Sequence, residues 1–222
     1  MQKLMTLGLA AALIAPLQAG ATTVPFVSWT AWNSSAAGTT QQNAHTVNVT
    51  YSGDTLGLDN NAYIYDVPSS FTSAEVPNTP GGNGTILMQG GNATVNTFHF
   101  SQAVLNPYIA VFSVGQTGVP VSFNFLDGAS FTLLSQGAGH WGGGSLTQLS
   151  PSVLSGREGN GVLKFSGSYT DISFTTPQSE YYYGATIGVA SVTAVPEAAT
   201  WGMTLAGLAL VGLLARRRRA AA

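Results

Sequence analysis

The chain has 222 residues, of which 7% are charged, and a formal net charge of −2. With no cysteine it can form no disulfide, thiolate nucleophile or cysteine-held metal site. Four of its seven basic residues are the run Arg216 to Arg219. Between residues 22 and 194 only Arg157 and Lys164 oppose eight carboxylates, and that acidic balance excludes a nucleic-acid partner.

In chain order, Lys3 precedes an apolar run from Leu4 to Ala15, which Pro16 interrupts. Ala19-Gly20-Ala21 then has the small-x-small form of a signal peptidase site. The segment 1–21 reads as a signal peptide cleaved after Ala21, with Ala19 as the alternative. A body over residues 22–194 follows, long enough for one domain with a real core.

The body offers short runs rich in Val, Ile, Phe, Tyr and Thr, broken by Gly, Pro and Asn, and no amphipathic helical stretch. Predicted strands are 24–32, 46–51, 62–67, 85–89, 93–103, 107–114, 120–126, 130–134, 161–166, 169–175 and 183–193, with a loop over 72–84. Phe98 and Phe100 flank His99. Val121, Phe123 and Phe125 alternate with Ser122 and Asn124, and Ile172 and Phe174 flank Ser173. A period of two with one apolar face gives sheets that bury one side. Such strands without crossover helices predict an antiparallel β-sandwich, jelly-roll-like in preference to immunoglobulin-like.

The tail begins Val195-Pro196-Glu197-Ala198-Ala199-Thr200-Trp201. From Trp201 to Ala215 it carries no charge, and as a helix it would reach roughly 22 Å at ~1.5 Å per residue. A hydrocarbon core of about 30 Å exceeds that, but local thinning and snorkelling arginines close such a gap. Arg216, Arg217, Arg218 and Arg219 would stay on the cytoplasmic side as a stop, with the body across the membrane. The motif over 195–203, the apolar helix over 201–215 and the Arg cluster over 216–219 together form a segment 195–219.

That tripartite tail resembles a PEP-CTERM sorting signal, with Ala198 in place of the second proline and Gly202 in place of the usual alanine. The resemblance implies export and processing by an exosortase-like membrane enzyme, commonly in cells that make exopolysaccharide. Related tails are also described as the C-terminal domain of ice-binding proteins. The stretch Phe100 to Ala110 is similar to a phrase common in the bodies of such proteins, and physically it reads as strand, Asn-Pro turn, strand.

Candidate chemistry in the body is sparse. His45, His99 and His140 have no zinc spacing, and no Gly-x-Ser-x-Gly elbow occurs. His99 should point outward, and His140 beside Trp141 reads as a turn residue. Eight scattered acids could supply a glycosidase pair, but the sequence selects none. Asp54, Asp59 and Asp66 place hard oxygens on a loop where a structural calcium could bind; the alternative is an Asx-rich turn. Trp29 and Trp32 read as core. Trp141 with Tyr181, Tyr182 and Tyr183 form a candidate platform for stacking on sugar rings.

The expectation is therefore an exported protein, first tethered at the inner membrane and then in the envelope, outer surface or extracellular matrix. It would associate with exopolysaccharide and perform no catalysis. A carbohydrate-binding module is the first alternative and a secreted polysaccharide hydrolase the second. Ice binding would need a flat Thr-bearing ladder that the sequence does not show.

Overall fold

The computed structural model describes residues 22–43 and 45–195, and Val24–Thr193 forms one compact unit. Its strands, in chain order, are β1 (Thr22–Trp29), β2 (Ala31–Ser34), β3 (Ala37–Gln42), β4 (His45–Ser52) and β5 (Gly57–Asp59). Then come β6 (Thr85–Gly90), β7 (Asn96–Leu105), β8 (Tyr108–Val114), β9 (Val121–Phe125) and β10 (Phe131–Gly137). The last five are β11 (Leu146–Ser150), β12 (Val153–Gly156), β13 (Gly159–Phe165), β14 (Ser168–Thr175) and β15 (Ser179–Val195).

They form an all-β sandwich of two antiparallel sheets. One has the order β10-β13-β8-β15-β6-β5, with β1 also on β15; the other runs β11-β12-β9-β14-β7-β4-β3-β2. From β6 to β11 the chain changes sheet at every connection, unlike a meander of hairpins. Alternation explains the inner layer. Phe98, Phe100, Phe123, Phe174, Ile109, Val111 and Leu163 are fully buried between the sheets. Their rings pack tilted, with Phe123 and Phe174 centroids 5.1 Å apart.

Strand β8 departs from the one-sided expectation, because every residue in it is buried. Ile109 and Val111 face the sheet partner, while Tyr108, Ala110 and Phe112 belong to a second cluster on the outer face with Ile64, Tyr65, Phe71 and Val76. The cover on that face is the segment expected as a strand over 62–67. It is instead a 3₁₀ turn (Ala62–Tyr65) followed by a short helix α1 (Pro68–Phe71). Ile64 and Tyr65 are consecutive and both buried, which a half-exposed strand forbids and a lid requires. Asp59 Oδ1 accepts the Asn61 amide at 2.8 Å, an Asx turn that starts the lid, and Pro68 at the helix start supplies a pre-set φ.

The expected strand 24–32 is two strands in different sheets. Thr30 is the joint, giving both its amide (2.9 Å) and its hydroxyl (2.7 Å) to the Ile187 carbonyl. Trp29 and Trp32 are core as expected, each with its indole N–H satisfied, by the Asn78 carbonyl (3.0 Å) and the Thr186 hydroxyl (2.9 Å). The Asn106-Pro107 reversal joins strands of opposite sheets, β7 and β8, with Asn106 at φ +48°. No helix among the described residues is long and apolar enough to cross a membrane, and the apolar helix expected over 201–215 lies outside them.

Candidate functional site

A cleft of about 170 Å³ opens where β8 and β15 lose their regular pairing. Ser113, Gly115 and Gln116 contribute from the end of β8, Glu158 from the β12–β13 turn, Trp141 from the loop after β10, and Glu180, Tyr181 and Tyr182 from the start of β15. Between the pairs Val111–Gly161 and Val114–Gly159, β8 carries one residue more than β13, and Ser113 takes φ +52°. This is a bulge, a device that re-aims side chains. On β15, Ser179 pairs with Gly90 and Tyr183 with Met88, so Glu180 to Tyr182 stand opposite Gln89 alone.

Buried Asn160 ties the first two pieces together. Its Oδ1 accepts the Ser113 amide at 2.9 Å, and its side-chain amide donates to the Glu158 carbonyl at 3.2 Å. Glu158 sits at φ +64°, its amide donating to the Gly115 carbonyl at 2.9 Å and its carboxylate accepting the Ser113 hydroxyl at 2.5 Å. Two non-glycine residues at positive φ in one rim cost of order 1 kcal/mol each, and such backbones persist where the surroundings over-determine them. Gly115 has to be glycine: φ is +76°, and a Cβ there would lie 2.2 Å from the Gly156 carbonyl oxygen.

Glu180 is only 7% exposed, and apart from the approach of the Gly115 amide neither of its oxygens has a hydrogen-bond partner among the described residues. Burial, and then the charge of Glu158, push its carboxyl up to about 8; the nearby Gly115 amide offsets this only in part. Glu180 is therefore protonated at neutral pH. Among the described residues no Lys, Arg or His forms an ion pair with either Glu158 or Glu180.

The opposite wall is aromatic. Trp141 is half exposed and meets Tyr182 edge-on at 5.4 Å, Tyr63 at 5.4 Å and Phe112 at 5.2 Å. Its neighbour His140 places Nδ1 2.7 Å from Asp66 and its ring 4.8 Å from Tyr63, so it anchors the loop to the lid. Glycines close that loop through backbone hydrogen bonds. Gly139 and Gly142 exchange backbone hydrogen bonds, and Gly144 donates to the Glu158 carbonyl at 3.1 Å. Burial first, then the charges of Tyr63, Asp59 and Glu158, push the Tyr182 hydroxyl up to about 12.

The cleft thus joins three of the four aromatics singled out in the sequence. Tyr181 stands at the mouth, 86% exposed, with Tyr182 and Trp141 beside it. Tyr183 does not belong: it is fully buried between the sheets, turned inward by strand alternation, and the four-residue platform is corrected to three. The three aspartates of the calcium expectation each have other partners. Asp54 Oδ2 accepts the Gln89 and Gly90 amides at 3.1 and 2.7 Å, Asp59 accepts Asn61 and the Tyr63 hydroxyl, and Asp66 pairs with His140. Among the described residues no group of three His, Cys, Asp or Glu side chains is placed to hold a metal ion. His99 points outward and holds Asp171 at 2.8 Å. Glu158 and Glu180 were two acids among eight in the sequence; only the closed sheets bring them to one cleft.

Of the tail, Val195 ends β15, while Pro196, Glu197, Trp201 and Arg216 to Arg219 lie outside the described residues, as do Ala19 and Ala21. Residues 194–219 match the family model of the PEP-CTERM protein-sorting motif. The chain carries an exosortase sorting tail. With that PEP-CTERM motif it is an exported protein processed at the membrane by an exosortase. Neither the curated proteins nor the solved structures searched include a match to the chain.

Proposed function

We propose that the exported sandwich is a non-catalytic component of the cell surface or extracellular matrix that holds exopolysaccharide in the cleft of Trp141, Tyr181, Tyr182, Glu158 and Glu180. The observation that carries this reading is the half-exposed Trp141 ring, propped edge-on by Tyr182 and Tyr63 beside a carboxyl-lined cleft. An aromatic face stacks on the C–H face of a pyranose, and carboxyl oxygens take its hydroxyls; few convergent polar groups on an apolar wall are the usual makeup of a small-ligand site. A volume of about 170 Å³ suits one sugar unit of a longer chain passing the open mouth.

The test is affinity electrophoresis through gels cast with the producing cells' own polysaccharide. Retardation of the wild-type chain, lost in Trp141→Ala, supports the reading; equal mobility of both, with and without polysaccharide, contradicts it.

A second reading has its own support. Two carboxyl groups share the cleft and burial keeps one of them protonated, the division of labour that a glycosidase needs between acid and base. In that case Glu180 would protonate the leaving oxygen and Glu158 would activate water. New reducing ends from the native polysaccharide, absent with Glu180→Gln, would favour it over pure binding.

A further inference from the structure

The cleft places two carboxyl side chains and three aromatic rings around one small volume with no positive partner among the described residues. Both Glu180 oxygens are out of contact with solvent, and apart from the approach of the Gly115 amide they have no hydrogen-bond partner among the described residues, although buried polar groups are nearly always hydrogen-bonded. Leaving such a group unmatched costs stability, and exceptions of this kind mark where a ligand completes the site. Glu158 is held on the rim by the Ser113 hydroxyl, with one carboxylate oxygen left uncommitted by any side-chain hydrogen bond of the described residues. Trp141 and Tyr182 supply the faces and edges of a partial cage. Carboxylates backed by aromatic rings attract a cation through both its charge and the ring quadrupole.

We propose that the group seated there is the protonated amine of an amino sugar, a hexosamine unit whose nitrogen is not acetylated, with its ring lying on Trp141. This rests on the glycan-binding reading above and names the sugar class. The ammonium would donate to Glu180 and Glu158, satisfying the two orphaned oxygens in a charge-assisted way. An N-acetyl group would instead bring a neutral, bulkier amide against a carboxyl that offers it little.

The free site holds a proton on Glu180, so the exchange balances simply: the ammonium enters and the Glu180 proton leaves to solvent. No covalent bond is made or broken in the ligand. A neutral sugar behaves oppositely, accepting a hydrogen bond from the protonated acid and releasing nothing. The titratable groups facing the cleft are Glu158, Tyr181 and Tyr182, and behind Trp141 lie Tyr63, Asp59 and the His140–Asp66 pair. Tyr182 is neutral throughout the range of interest.

The experiment is isothermal titration of the full-length chain, kept in detergent, with a trisaccharide of glucosamine and with its fully N-acetylated counterpart. Two buffers of different ionisation enthalpy report the protons exchanged. The expected result is release of about one proton per free-amine ligand near pH 6.5, with affinity rising about tenfold per pH unit while the amine stays protonated. Glu180→Gln should abolish the release and weaken binding roughly ten- to a hundredfold, the cost of one charge-assisted hydrogen bond. Glu158→Gln should weaken binding, and His140→Gln should keep the proton release. Circular dichroism establishes that each variant is folded.

Equal or tighter binding of the N-acetylated sugar, or binding of the amine without proton release, would overturn the proposal while leaving glycan binding intact. Tighter binding of choline or a lysine peptide than of the amino sugar would overturn the sugar assignment. Absence of binding to any glycan, neutral or basic, would remove this inference together with the reading beneath it.

Discussion

Replacing Glu180 by Gln removes a carboxyl that the fold keeps neutral, so the wild-type chain should lose stability with rising pH in a way that the variant does not. The folded carboxyl is raised from an ordinary value of 4.5 to about 8. Between those limits the folded state holds a proton that the unfolded chain has released, so stability falls as pH increases. The contribution is intact below about pH 4.5 and fully lost above about pH 8. At about 1.4 kcal/mol per pH unit, the loss is on the order of 3 kcal/mol at pH 7 and of 5 kcal/mol above pH 8. Because Glu180 lines an open cleft, solvent screening lowers these upper figures and leaves a few kcal/mol. Urea denaturation of both chains at pH 5, 6, 7, 8 and 9 isolates this group together with its coupling to Glu158, because uncoupled ionisations cancel in the difference. Glu180→Gln should nearly match wild type at pH 5 and be more stable by several kcal/mol at pH 9. A difference that stays flat across that range would refute the claim that Glu180 is buried in its neutral form.

Trp141→Ala should abolish retardation by polysaccharide yet cost only about 1–2 kcal/mol in a thermal melt, because the ring is half exposed and loses only edge-on and tilted ring contacts. Gly144→Ala should disturb the cleft from beneath: its Cβ would lie 1.4 Å from the Arg157 carbonyl oxygen, so the loop has to lift and lose the Gly144–Glu158 hydrogen bond. A loss of about 2 kcal/mol or more with weakened glycan binding is expected, measured by urea melts and titration. Replacing Arg216 to Arg219 with neutral residues should misplace the protein in cell fractionation, since four cations after an apolar run are expected to stay on the cytoplasmic side; an unchanged distribution would contradict that role.

The central strands of the second sheet were legible because each buries one face. Phe98–His99–Phe100, Val121 to Phe125 and Ile172–Ser173–Phe174 write their period of two directly in the side chains. Edge strands were not. The run Ala-Gly-Thr-Thr-Gln-Gln of β3 and Leu-Thr-Gln-Leu-Ser of β11 lie toward the outer ends of their sheet and bury few side chains, so they lack an apolar signature. Tyr63-Ile64-Tyr65 misled in the other direction. Its β-type composition serves a lid on the outer face of β8, and only that strand's unbroken apolar run hinted that both its faces needed cover.

The site divided in the same way. Trp141 and Tyr182 stood out as aromatics flanking glycine and tyrosine runs. The carboxyl pair did not, because Ser113, Glu158 and Glu180 meet only after sheet closure and two bulges. One trace existed in advance: Glu180 is the lone charge at the head of the long apolar strand β15, a position at odds with its surroundings.

The claim on which the account turns is that the exported chain holds glycan at Trp141 through the cleft of Glu158 and Glu180. Saturation-transfer NMR of the full-length chain with the cells' own polysaccharide tests it most directly. The account predicts transfer concentrated on the ring protons of basic sugar units, lost in Trp141→Ala and reduced in Glu180→Gln. Transfer that is spread evenly over the polysaccharide and survives both substitutions would contradict it.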